Sequence, residues 1–215
     1  MDFLSKYGIN IKNQDLLLTA LTHSSYGYEN HCEDYERLEF LGDAVLQVIM
    51  SEYLYKNTNL KEGQMSKERS RFVCEEALAC YVKKVGYDKY IRVGHGLVGH
   101  VNDTIIADTF EAVLAVIYLE CGLEVCQKYI REVVIPFVKN DEGFFRDYKT
   151  NLQELVQTDK KSLEYILVES TGEAHNMQFK VNVVVDGIIL GTGIGKSKKE
   201  AEQNAAASAL KKCAR

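Results

Sequence analysis

The chain has 215 residues, 46% of them hydrophobic and 27% charged, and a formal net charge of −5. That length suits one ordinary domain plus a small second one, and no apolar run is long enough to span a bilayer. The opening Met1-Asp2-Phe3-Leu4-Ser5-Lys6 lacks a signal peptide's basic start and apolar stretch, and the six cysteines include no Cys-x-x-Cys pair. Reduced thiols and a cytoplasmic location are the expectation, with no membrane partner.

A single proline and no tryptophan leave helix formers in the majority. The acidic total argues against a nucleic-acid binder until the chain is divided. Residues 1–143 hold 15 Lys and Arg against 22 Asp and Glu, whereas residues 144–215 hold 11 against 9. An acidic first part beside a mildly basic second part suits a division of labour.

The first 140 residues read as amphipathic helices joined by polar turns. Asn13 caps a helix from Gln14 to about Thr22, and a polar stretch follows from Ser24 to Asp34. A long helix is predicted from about Tyr35 to Tyr55. Ser66 is placed to cap another running to Val85. Further helices are expected over Thr104–Cys121 and Leu123–Lys139, the latter interrupted late by Pro136. His95 and His100 fall in a glycine-rich, exposed loop without metal-ligand spacing. Asn140-Asp141-Glu142-Gly143 reads as a linker, because periodicity stops there. Beyond it come a short helix (Asn151–Gln157), strands at Leu163–Val168 and Gln178–Val185, an Asp186-Gly187 hairpin turn, a third strand over Ile188–Thr192, and an alanine-rich helix from Lys198 to Cys213. The predicted fold is an all-α domain over 1–143 followed by a small α+β domain, α-β-β-β-α, over 144–215.

Acidic residues recur on two of the helices. In Glu36-Arg37-Leu38-Glu39-Phe40-Leu41-Gly42-Asp43, the acids Glu36, Glu39 and Asp43 share one face at i, i+3, i+7. In Ile105–Leu119, Asp108 and Glu111 are the only charges. Acids on so apolar a helix are costly unless protonated, paired or bound to metal. They could pair with Arg37, Arg69 or Arg71 or face solvent. Taken together, the two helices favour an all-oxygen site for a hard divalent cation, Mg²⁺ or Mn²⁺, of the kind that serves phosphodiester hydrolysis.

The string ERLEFLGDAVL at 36–46 resembles the signature of the ribonuclease III family. ALTHSS at 20–25, EGQMSKERSRFV at 62–73 and IIADTFEAVLAVIYLE at 105–120 extend the resemblance, in the family's order. DYKTNLQELVQ at 147–157 and GKSKKEAEQNAA at 195–206 resemble its double-stranded-RNA-binding domain. The resemblance implies an endoribonuclease that acts on double-stranded RNA as a homodimer with Mg²⁺, Mn²⁺ being a substitute, and processes ribosomal RNA precursors and some messenger RNAs. It implies Glu39, Asp108 and Glu111 as metal ligands, Asp43 and Glu111 as catalytic, and Glu36 and Glu62 as secondary acids. Ala115 stands where the family commonly has glycine.

In the second part, Gly191-Thr192-Gly193-Ile194-Gly195-Lys196-Ser197 sits where a phosphate-binding loop would. It fails that pattern because Leu190 replaces the first required glycine. Ser197 and Glu200 instead form a capping box. Lys198 and Lys199 oppose the helix dipole, which an anion at that end would relieve. The resemblance assigns Lys196, Lys198 and Lys199 to phosphates, Gln153 and Glu154 to one minor groove, and His175 to another. Glu173 stands where proline is common. The rival reading, a protein that grips duplex RNA without cutting it, calls for lost carboxylates, and all four are present.

Overall fold

Side-chain caps start several of the helices in the computed structural model, which describes residues 3–140, 148–158, 161–172 and 177–213. The chain divides into two compact units, residues 1–145 and 146–215. In the first, α1 (Gln14–Thr19) begins where the Asn13 side chain accepts a hydrogen bond from the Leu16 amide at 3.0 Å. It stops three residues short of the predicted end, because Thr22 leaves the helix to bridge Arg92.

The polar stretch after it holds a helix that periodicity does not reveal, α2 (Ser24–Asn30). Its cap is His23, whose Nδ1 accepts from the Ser25 amide at 3.1 Å. The long α3 (Glu36–Asn57) is followed by α4 (Glu62–Phe72) and α5 (Glu75–Val85). The single helix expected to start at Ser66 is therefore corrected. Ser66 lies inside α4, which starts at Lys61, where the backbone amide donates to Gln64 Oε1 at 3.0 Å. The chain turns extended at Cys74 and restarts with Glu75 and Glu76 at the positive helix end.

The Asn102 side chain accepts from the Ile105 amide at 3.0 Å to start α6 (Asp103–Cys121). α7 (Leu123–Val133) and α8 (Ile135–Asn140) divide at Val134, with Pro136 in the first turn of α8, where its missing N–H costs nothing. The glycine-rich segment is a 3₁₀ turn (His95–Leu97) fastened to α2, with His95 Nδ1 2.6 Å from Glu29 Oε2. From Ile105 to Ile117, every residue of α6 is buried except Asp108 and Glu111. Such a helix is the centre of a core, and Phe110, Leu114 and Ile117 pack there with Leu46, Met50 and Tyr81. Ala115 is fully buried within it and leaves the helix unbroken.

The second unit runs α9 (Tyr148–Thr158), β1 (Leu163–Thr171), β2 (Gln178–Val185), β3 (Ile188–Gly195), α10 (Lys198–Cys213). Its sheet is antiparallel in the order β1-β2-β3. Asp186 and Gly187 both take positive φ, 48° and 79°, as a tight two-residue hairpin requires. The Asp186 carboxylate also accepts from the Ser162 amide at 2.8 Å, tying the turn to the start of β1. Leu152, Val156, Val181 and Val183 form the core with Ala201, Ala205, Ala206 and Ala209 of α10.

β3 extends three residues past the predicted Thr192, and its glycines explain why. A Cβ on Gly191, Gly193 or Gly195 would come within 2.3, 2.1 or 2.5 Å of α10 backbone atoms. These alternate glycines seat an alanine-faced helix directly on the sheet, so they serve packing and not a phosphate-binding loop. The linker expected at 140–143 lies outside the described residues, apart from Asn140, which ends α8.

Candidate active site and RNA-binding elements

One missing atom brings α3 and α6 together. A Cβ on Gly42 would lie 1.8 Å from the Glu111 carbonyl oxygen and 2.4 Å from its carbon, so any side chain there would drive the helices apart. Glu39 and Asp43 flank Gly42 on α3, and Asp108 and Glu111 share one face of α6. The contact therefore sets four carboxylates against one another across the helix interface.

Their electrostatics show the cost. Burial pushes the Glu111 carboxyl up to about 8, with the charges of Asp43, Glu39 and Asp108 adding to it. Glu39 is raised by burial and by Asp108, Glu36 and Asp43. Asp108 is raised by burial and by Glu75, a neighbour the sequence did not single out. Among the described residues, no Lys or Arg forms an ion pair with any of the four. Of the arginines that could have paired with them, Arg69 Nη1 donates to Ser51 Oγ at 2.8 Å and Arg71 pairs with Glu68 at 3.1 Å. Asp43 is exposed and accepts from Gln47 Nε2 at 3.0 Å.

Asp108 has one neutral partner. The Tyr35 hydroxyl donates to its Oδ2 at 2.9 Å, and burial followed by the Asp108 charge raises the phenol far above its usual range, so it stays a donor. Sequence reasoning passed over Tyr35, Gly42 and Glu75. Only Gly42, a glycine inside a strong helix, carried a signal that could have found it.

Glu36 opens α3, exposed, and acts on Glu39 through its charge. Glu62 opens α4, where its carboxylate accepts from the Ser66 hydroxyl at 3.1 Å. Its charge is not among those acting on Glu39, Asp108 or Glu111. Among the described residues, no three His, Cys, Asp or Glu side chains are already gathered around one point. The donor set nonetheless fits a hard divalent cation. It is all carboxylate, half-buried in part and unpaired with any described Lys or Arg, His23 alone of the basic side chains acting on Asp108 in the opposite sense, so a cation would relieve the repulsion that raises these groups.

In the second unit, Gln153 and Glu154 are exposed on α9, and Lys196, Lys198 and Lys199 are exposed at the junction of β3 and α10. The capping box differs in one limb. Ser197 Oγ accepts from the Glu200 amide at 3.1 Å, but the Glu200 carboxylate reaches back to the Lys196 amide at 2.6 Å. His175 and Glu173 lie outside the described residues.

Both parts of the chain resemble known proteins. A ribonuclease-III-like family model matches residues 13–137, and a double-stranded RNA binding motif matches residues 148–213. Proteins named ribonuclease 3 from Bacillus cereus and Bacillus anthracis are each 42% identical over 98% of this chain and 89% of their own length. The solved nuclease domain of ribonuclease III from Campylobacter jejuni aligns with a TM-score of 0.58 at 30% identity, covering 63% of this chain and 95% of that one. The chain, an endoribonuclease domain followed by a double-stranded RNA binding motif, belongs to the ribonuclease III family.

Proposed function

We propose that the chain hydrolyses phosphodiester bonds of double-stranded RNA with Mg²⁺, for which Mn²⁺ can substitute, and that it acts as a homodimer. The observation that carries the reading is the Gly42–Glu111 contact, which concentrates carboxylates that no described Lys or Arg pairs with. Glu39, Asp108 and Glu111 would hold the ion, as hard oxygen donors suit Mg²⁺. Bound there, the ion would supply the activation of water and the stabilisation of the leaving oxygen. Asp43, steadied by Gln47, orients the attacking water, and Glu111 completes the catalytic pair. Glu36 adds negative charge beside Glu39, and Glu62 is a secondary acid.

The homodimer reading rests on an apolar stripe on α3. Phe40 is 82% exposed and Val48 57%, with exposed Ala44 between them at i, i+4, i+8. Large apolar side chains in a row on a helix face mark a surface to be covered. The Campylobacter relative's nuclease domain is described as having a region involved in dimer formation. Residues 144–215 form the RNA-capturing part and residues 1–143 the cutting part. Lys196, Lys198 and Lys199 contact phosphates, while Gln153, Glu154 and His175 reach the minor grooves. Ribosomal RNA precursors and some messenger RNAs, which carry duplex stems, are the substrates. The cytoplasm is the compartment, in keeping with six free cysteines. No described helix is long and apolar enough to cross a membrane.

Incubation of the chain with a defined RNA duplex and Mg²⁺, against EDTA and a single-stranded control, tests the reading. Cleavage of the duplex alone, abolished by EDTA and by Glu111→Ala, is expected. Full cleavage by Glu111→Ala, or indifference to EDTA, would overturn it.

A further inference from the structure

Tyr35 is 3% exposed and immediately precedes α3. Three elements distant in sequence meet at it. Its amide donates to the Thr22 carbonyl at 2.9 Å, its own carbonyl accepts from the Leu38 and Glu39 amides at 2.8 Å, and its hydroxyl reaches Asp108 on α6. The ring is held edge-on by His23, with centroids 5.7 Å apart. His23 is itself fixed, its Nδ1 lying 2.7 Å from Ser25 Oγ, and that same oxygen accepts from the Gly94 amide at 2.8 Å. His23 therefore has a structural task that the carboxylates do not explain: fixed by Ser25, it buttresses one phenol ring.

We infer that Tyr35 is a positioning residue for the metal centre: by fixing Oδ2 of Asp108 it sets the orientation of the carboxylate that would hold the ion. The inference rests on the reading of Asp108 as a ligand. A carboxylate with one oxygen fixed by a rigid donor loses less rotamer freedom when it ligates, and partners of this kind commonly set metal affinity. No other described side chain hydrogen-bonds Asp108. Tyr35 also joins the two acidic helices: the residue that accepts the amides opening α3, next to Glu39, is the one that orients the Asp108 carboxylate on α6.

The test is Mn²⁺ binding to the full chain without RNA, read from the loss of the free-ion EPR signal, for the parent, Tyr35→Phe, Asp108→Asn and the double variant. Tyr35→Phe removes one hydroxyl and keeps the ring that His23 supports. It is expected to bind Mn²⁺ about tenfold more weakly than the parent. Its melting temperature in EDTA should match the parent's, and its cleavage rate at saturating Mn²⁺ should stay within about twofold of the parent's, because an ion once bound fixes Asp108 itself. In the Asp108→Asn background the same change should cost less than about twofold, since the hydroxyl acts through that carboxylate. Parental Mn²⁺ affinity in Tyr35→Phe, or an equal loss in both backgrounds, would overturn the inference. Glu111→Gln separates the two readings. If it leaves Mn²⁺ affinity unchanged, the metal site itself is misassigned and the role of Tyr35 falls with it. If it weakens Mn²⁺ binding while Tyr35→Phe does not, only the positioning role fails.

Discussion

Gly42 and Glu111 meet backbone to side-chain position: a Cβ on Gly42 would stand 1.8 Å from the Glu111 carbonyl oxygen. A glycine in a helix interior costs stability relative to alanine through backbone entropy. Here that cost is offset by an approach no other residue allows, which brings α3 and its acids against α6.

Replacing Gly42 by alanine should therefore reverse the usual helix-propensity gain. The added methyl forces α3 from α6 and destabilises the first unit by about 1–3 kcal/mol. Displacement of Glu39 and Asp43 relative to Glu111 should lower cleavage on the order of a hundredfold. Thermal melts and initial rates on one RNA duplex check both effects, and a variant with parental stability and rate would contradict the packing argument.

The raised Glu111 carboxyl makes stability depend on pH in a defined direction. Its folded value, about 8, lies above the ordinary 4.5, so the folded state holds this proton more tightly than the unfolded chain does. In EDTA the associated stability is fully present below about pH 4.5 and is lost as pH rises towards and through 8. Glu111→Gln removes that dependence and should stabilise the metal-free protein at pH 8 by about 2 kcal/mol, after allowing for solvent screening of a half-buried group, while abolishing cleavage. Melts in EDTA from pH 5 to 8 would show the parent declining more steeply than the variant, in which Glu39 and Asp108 are still raised. A parent as stable at pH 8 as at pH 5 would count against this electrostatic account.

Changing Lys196, Lys198 and Lys199 together to alanine should weaken duplex binding through lost phosphate contacts. The slope of log affinity against log salt should become shallower by about 2–3, roughly one per lysine. Cleavage at saturating RNA should be kept, because the carboxylates lie in the other unit. Filter binding across a salt series checks this; an unchanged slope would remove the three lysines from the RNA contact.

Gly193→Ala should act on the second unit alone. Its Cβ would lie 2.1 Å from the Ala205 amide nitrogen and 2.3 Å from the Ala201 carbonyl oxygen, so α10 must lift from the sheet. Loss of duplex binding with retained Mn²⁺ affinity in the first unit is expected, measured by gel shift and by EPR. Parental duplex binding would show that the helix-to-sheet contact tolerates a methyl.

Much of this was legible in the residues. The strict alternation of Gln178–Val185 and the alanine run after Lys198 marked their elements to the residue, because side-chain period is a local property. Asn13 and Asp186-Gly187 announced a cap and a turn for the same reason. Helix α2 was not legible, since its cap is a histidine and its surface is polar. Nor was the break at Cys74, where apolar spacing continues across two helices.

By itself, the sequence determined that acids recur at i, i+3 on two helices, one of them otherwise apolar, and that a basic α-β-β-β-α module follows. Local spacing encodes which side chains share a face, and nothing more is needed for that. Leu190 already spoke against a phosphate loop, but only the tertiary structure decided that Gly42 lies against Glu111, that Tyr35 reaches Asp108, and that Gly191, Gly193 and Gly195 seat a helix. The meaning of a glycine or a buried hydroxyl depends on the atom that approaches it from elsewhere in the chain. The carboxylates on their two helices were visible from the start. The contact that brings those two helices together joins positions 69 apart along the sequence, Gly42 and Glu111.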